Sequence, residues 1–420
     1  MKQLSKKIFN IFIICIICIV PLIITPNRLD YYYQAKSYLI YALCLFTSIP
    51  FLFEFNKDYF SNKAIYYTIF VYIFILALST IFSVNISQSI FGKIYRYEGF
   101  LTLICYLIIF IIASSKYIFS KVHLVYLFLS ATVISIYGIL QYFGYNIVKV
   151  DPIRSKWVKY VYSTIGNPNF LGSYLVLILP ISIYCFIKSN KILNLLITCL
   201  LYTTLLLTNT RSAWIGFALS FLLLVIFSIK NKKDLKSLIF ILLIIFSITL
   251  LINSYKNNAL IKRFDSIVSD AKNASIDSTK SEYSGSTRIF IWKRTLKLIQ
   301  NSPIIGYGPD TFDIVFMKNY KKDVNRLIGN IIIDKAHNEY LQIAYASGIP
   351  ALITYLLFLI FAIIDAIKNI NKNILIIPLL CSISGYLIQS FFNISVVSVA
   401  PVFWAFLGIL CKFSKVKEFH

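Results

Sequence analysis

Twelve apolar runs of 17 to 23 residues follow one another along this 420-residue chain, and they decide what it can become. They lie at 8–25, 37–55, 64–84, 99–115, 122–144, 170–187, 192–209, 212–229, 236–253, 349–367, 373–392 and 395–412. Crossing about 30 Å of hydrocarbon takes roughly 20 such residues as a helix, and a helix satisfies its own backbone where no water can. With 58% hydrophobic and 14% charged residues, the chain holds more apolar surface than one water-soluble core could hide. The expected fold is an all-α polytopic membrane protein of about 12 transmembrane helices. Nine helices occupy residues 1–253, an extracytoplasmic loop with short helices occupies 254–340, and three helices with a cytoplasmic tail occupy 341–420.

Lys and Arg in the short loops orient these spans. One side collects 18 Lys and no Arg; the other collects 9 basic residues, among them Arg28, Arg96, Arg154 and Arg211. The first side reads as cytoplasmic, which puts both termini there and makes the expected location the cytoplasmic membrane. Every Arg then lies outside, in short loops or in 254–340. Because guanidinium groups suit bidentate contact with phosphate or carboxylate, this sorting points to an anionic ligand at the outer face. The net charge of +24, which in a soluble chain would suggest nucleic acid, is instead a matter of topology.

All eight cysteines lie inside apolar runs, so neither a disulfide framework nor a zinc knuckle is expected. No phosphate-binding Gly-Lys-Ser/Thr loop and no Asp-x-Asp pair occur, and the spans carry no ionisable residue near their centres. Coupled carriers usually place such groups near the midplane. In the long loop, 268–286 is rich in Ser, Asp and Lys and reads as mobile. From Thr287 to Gln300 the pattern becomes amphipathic, with Ile289, Trp292, Leu296 and Ile299 on one side, as for a helix on the membrane surface. A Gly306-Tyr307-Gly308-Pro309 turn and a second helix from about Asp310 to Leu327 follow.

Among three histidines, His337 stands where the long loop re-enters the membrane, in Asp334-Lys335-Ala336-His337-Asn338-Glu339-Tyr340. A neutral imidazole there suits proton abstraction from a hydroxyl. Arg211, Arg288, Arg96 with Glu98, and Asn167 with Asn169 share its side. Arg211 also suits a headgroup anchor, Arg288 a solvated face, and Gly166-Asn167-Pro168-Asn169 a turn and helix cap.

The chain resembles the bacterial O-antigen ligase and polymerase superfamily over residues 90–410. The resemblance rests on Gly166-Asn167-Pro168-Asn169-Phe170-Leu171-Gly172, Thr210-Arg211-Ser212-Ala213-Trp214, Arg288 to Pro309, and His337-Asn338-Glu339-Tyr340-Leu341. It implies a GT-C-like, metal-independent, inverting glycosyltransferase with no cofactor, serving surface polysaccharide or cell-wall biosynthesis. The donor would be an undecaprenyl-diphosphate-linked glycan and the acceptor a hydroxyl of a glycan, lipid or protein. Arg211 and Arg288 would bind the diphosphate and His337 would orient or deprotonate the acceptor, supported by Arg96, Glu98, Asn167, Asn169 and Glu339. A carrier or flippase for a lipid-linked saccharide is the alternative. Ligases, polymerases and protein O-oligosaccharyltransferases share these motifs, so the sequence leaves the acceptor open.

Overall fold

A computed structural model of the chain describes residues 2–25, 30–54, 62–147, 161–229, 232–274 and 287–415. Arg28, Arg154 and residues 275–286 of the stretch expected to be mobile lie outside the described residues. The regular secondary structure of the described residues is helical. Helix α1 (Lys2–Ile14) passes into a π turn (Cys15–Ile19) and then a 3-10 turn (Val20–Leu22) that contains Pro21, which has no N–H to continue an α-helical ladder. In chain order follow α2 (Gln34–Phe53), α3 (Lys63–Ile81), the short α4 (Ile86–Phe91), α5 (Phe100–Ser115), α6 (Lys121–Tyr142) and α7 (Pro168–Ser189). The remainder are α8 (Ile192–Leu207), α9 (Arg211–Ile229), α10 (Lys232–Tyr255), α11 (Ala259–Ala274), α12 (Arg288–Asn301), α13 (Phe312–Leu327), α14 (Glu339–Lys368), α15 (Ile376–Ser390) and α16 (Ala400–Lys415).

All twelve apolar runs fall on helices, and among the described residues eight helical stretches are long and apolar enough to cross a membrane. Helices α5, α8, α15 and α16 have only 15 or 16 residues, short of a straight crossing. Three of these, α5, α15 and α16, are largely buried among other helices, so protein rather than lipid surrounds them. Helix α7 is the axis: 94% of its apolar window is buried, and it packs on α8, α9 and α15.

Between helices in lipid, close backbone approach replaces the hydrophobic effect as the organising force. Helices α9 and α15 cross at two glycines: a Cβ at Gly216 would sit 2.7 Å from the Gly385 carbonyl oxygen, and one at Gly385 would sit 2.8 Å from that of Gly216. Lys36, a loop charge by sequence, is fully buried in the first turn of α2, where its Nζ donates to the Thr164 carbonyl at 2.7 Å.

Helices α12 and α13 and the start of α14 form a second, smaller core around Phe290, Phe312, Phe316 and Tyr345. The buried face of α12 is Phe290, Ile291, Leu298 and Ile299, whereas Leu296 is 48% exposed. The expected face is therefore rotated, because α12 packs on α13 and α14 rather than on headgroups, and its Trp292 indole N–H donates to the Ala336 carbonyl at 3.0 Å. Residues 268–274, expected to be mobile, continue helix α11. This cap is laced to α14 by backbone: Tyr307 N donates to Tyr345 O (3.1 Å), Gly308 N to Ala346 O (2.8 Å) and Ile349 N to Pro303 O (2.7 Å). The lacing needs α14 kinked at Gly348, whose φ of +84° a side chain would resist.

The glycine crossing sets a stability test. Gly216→Val should cost on the order of 1–3 kcal/mol through overpacking, read as a lower thermal midpoint in detergent. An exposed lipid-face change on α10, Leu251→Val, should leave that midpoint nearly unchanged.

Candidate functional site

Three helix starts meet in one cavity. Asn167 caps α7, its Oδ1 accepting the Asn169 amide at 2.9 Å, and Pro168 supplies the fixed φ a first helical turn uses. The Asn169 carbonyl accepts from Gln389 Nε2 (3.2 Å) and Asn393 Nδ2 (3.3 Å), which holds this helix start against α15. Arg211 is the first residue of α9 and Arg288 the first of α12. Helix N-termini present unpaired amides and the positive end of the helix dipole.

The cavity they enclose has a volume of about 310 Å³ and is lined by Asn169, Arg211, Arg263, Arg288, Asp334 and His337, with Ser212 and isoleucines around them. Arg211 donates to Ser266 Oγ at 3.1 Å, tying the start of α9 to α11. Three guanidinium groups thus share the space with one carboxylate, and that carboxylate is engaged elsewhere: Arg96 binds Asp334 bidentately at 2.8 and 3.1 Å. Burial alone would raise the Asp334 carboxyl, but Arg96 overrides it and holds the group well below the usual carboxylate range. Guanidinium groups and helix N-termini in this arrangement have the chemistry to bind an anion.

His337 is partly buried and lines the cavity. Burial, with Arg288 and Arg96 nearby, lowers its pKa to about 4, which keeps it neutral at pH 7. Its backbone is left-handed, with φ +52°, a conformation that costs free energy and must be enforced. Its neighbours enforce it. Asp334 is held by Arg96, Lys335 Nζ by Asp310 at 2.6 Å, Ala336 N by Gln342 Oε1 at 2.9 Å, and Asn338 caps α14 through Leu341 N at 3.0 Å.

A smaller chamber of about 70 Å³ has Glu98, Asp310, Lys335, Glu339, Gln342 and Ser347 in a lining that is otherwise largely apolar and aromatic. Glu98 accepts from Tyr106 Oη at 2.5 Å, and burial pushes its carboxyl up to about 7 against the pull of Lys335 and Tyr106. The structure therefore brings Arg211, Arg288, His337 and Asn169 together. It does not bring Glu98 or Glu339 to that cavity, and it uses Arg96 as a clamp and Asn167 as a cap. Sequence reasoning passed over Arg263, Ser212, Asp310 and Lys335. For Arg263 the signal was present: Leu260, Ile261 and Phe264 beside it give α11 an apolar face.

Those three residues line a second, open space of about 730 Å³ between α8, α9, α10 and α11, otherwise walled by Trp214, Phe217, Phe221 and Phe246. It adjoins the cavity through α9, where Trp214 is one turn from Arg211, and through α11, where Phe264 follows Arg263. A charged cavity thus abuts an apolar groove.

Residues 195–356 match the protein family described as O-Antigen ligase. That stretch contains Arg211, Arg263, Arg288 and His337. The chain is also similar to a protein of Acinetobacter baylyi (strain ATCC 33305 / BD413 / ADP1) named ComP-specific O-oligosaccharyltransferase, at 24% identity over 221 residues. The aligned region covers 49% of this chain and 36% of that relative.

The clamp on the His337 segment is open to test. Lys335→Met leaves Asp310 buried and unpaired and should cost roughly 3–5 kcal/mol. Adding Asp310→Asn should restore part of the loss, read as a double-mutant cycle on thermal unfolding.

Proposed function

As the chain is a polytopic membrane protein of the O-antigen ligase superfamily, we propose that it transfers a glycan from undecaprenyl diphosphate to an acceptor hydroxyl at the outer face of the cytoplasmic membrane, with both termini on the cytoplasmic side. One observation carries this reading: a cavity with three guanidinium groups and three helix N-termini abuts an apolar groove. A ligand that satisfies both is an amphiphile with a diphosphate head and a long hydrocarbon chain. The groove walls include Leu222, Phe246 and Leu250, each at least half-exposed on the protein surface, so a lipid tail enters from the side.

In this reading Arg211 and Arg288 bind the diphosphate, and the amides at the starts of α7, α9 and α12 add fixed dipoles that need no reorganisation. The acceptor oxygen attacks the anomeric carbon from the face opposite the diphosphate, so the configuration inverts. The carbon–oxygen bond to the diphosphate breaks, and its electron pair leaves with the phosphate. His337, neutral and hydrogen-bond competent, takes the hydroxyl proton. The arginines supply the positive charge at the leaving group, so the step is drawn without a metal ion. Segment 334–338 holds the imidazole in position, and Arg96 acts on it through Asp334 rather than on substrate.

Two experiments test this. His337→Ala and Arg288→Ala should remain folded and inserted while transfer falls about 10²- to 10⁴-fold, with lipid-linked glycan accumulating. Normal surface glycan in both variants, or movement of the lipid-linked saccharide without a new glycosidic bond, would refute it. The pH profile supplies a second readout. A lowered imidazole pKa means the base is lost only as pH falls through about 4, so the acid limb of kcat/KM should lie near 4 rather than 6.5. A limb near 6.5, the ordinary imidazole value, would show that burial and the neighbouring arginines do not hold the base low.

A further inference from the structure

Helix α13 turns Phe312, Val315, Phe316 and Val324 into the second core and leaves Lys318, Lys321, Lys322 and Arg326 exposed. The three lysines make no ion pair among the described residues. The one carboxylate beside them, Asp323, is shared between Arg294 of α12 at 3.2 Å and Arg326 at 3.7 Å. One turn on from Arg294, the exposed Lys297 also has no ion pair among the described residues.

Helix stability does not ask for such a face. Like charges three and four residues apart repel, as Lys318 does with Lys321 and Lys322, and Lys322 with Arg326. A cation in the last turn complements the helix dipole, which accounts for Arg326 but not for Lys318 or Lys321. Residues four apart rise about 6 Å along a helix, so Lys318, Lys322 and Arg326 set three cations at a regular interval over roughly 12 Å. This line ends at the cavity. Once α13 stops at Leu327, the chain continues as cavity lining through Ile328, Ile331, Ile332, Ile333, Asp334 and His337. The apolar groove lies instead against α8, α9, α10 and α11. The cations therefore lead in along the stretch that bears the proposed base, and not along the helices that wall the groove.

We propose that the exposed face of α13 is a track for the acceptor, a linear polymer with one anionic group per repeat, and that it guides a hydroxyl of that polymer toward His337. The inference rests on the transfer reaction proposed above and narrows its acceptor. Contacts of this kind are exposed and electrostatic, so they weaken as salt rises.

The test uses the full-length protein in phosphatidylcholine nanodiscs and three probes: fluorescent oligogalacturonate, its uncharged methyl ester, and phosphatidylglycerol vesicles. Wild type should bind the polyanion, less tightly at higher salt, and should not bind the ester. Changing Lys318→Gln, Lys321→Gln and Lys322→Gln together should weaken polyanion binding about 10-fold, in keeping with three exposed charge contacts, and should raise the Michaelis constant for an anionic acceptor by a similar factor. The same three positions changed to Arg should keep wild-type binding, which separates charge from any effect on folding. Absence of salt-sensitive binding by wild type, equal binding by the glutamine variant, or a loss confined to the vesicles, as for a headgroup contact, would overturn the track and leave the transfer reaction standing. Polyanion binding by a wild-type protein that transfers glycan from undecaprenyl diphosphate to no hydroxyl would instead overturn the reaction.

Discussion

The buried ion pair between Lys335 and Asp310 is the contact on which the rest of the site depends. Its two side chains are 4% and 1% exposed, so neither charge has water to fall back on. Asp310 gathers more than the lysine: its other oxygen accepts the Lys93 and Glu98 amides at 2.6 and 3.3 Å. Three stretches distant in the chain are therefore held by one carboxylate: the loop before α5, the turn before α13 and the segment bearing His337. Buried pairs of this kind contribute less to net stability than to fixing one arrangement among alternatives, and here the arrangement fixed is a left-handed histidine at the edge of a charged cavity.

Three guanidinium groups and three helix N-termini border one small volume, and the folded bundle fixes their positions. Under the proposed reaction this is preorganisation: the arrangement is set during folding rather than during reaction. The low imidazole pKa of His337 follows first from its burial and then from Arg288 and Arg96 nearby, which disfavour a further positive charge.

What the sequence disclosed and what it hid follow from this geometry. Arg211, Arg288 and Asn169 were legible from the outer side that loop charge gave them, from residue type and from spacing, with turn residues beside Asn169. His337 was legible as the one histidine at the re-entry point of the long loop. The apolar runs gave the helices but not which were shorter than a membrane is thick, since α5, α15 and α16 are wrapped by protein and composition does not distinguish that from lipid. The partners stayed hidden: Arg96 and Asp334 are 238 residues apart, and nothing local announces their pairing. Arg263 was overlooked although the apolar pattern of Leu260, Ile261 and Phe264 beside it was readable, because no turn or motif marks it as Arg211 and Arg288 are marked. The face of α12 was misjudged for a related reason, the assumption of a headgroup surface where a second protein core stands.

Under the proposed function, the exposed groove between α9 and α10 lets the lipid-linked donor arrive by diffusing within a leaflet rather than through bulk solvent. Its effective concentration is then a mole fraction of the surrounding bilayer. An apparent Michaelis constant measured in micelles would scale with the amount of detergent present, as surface dilution requires, and comparisons between preparations would be meaningful only at matched lipid-to-detergent ratio.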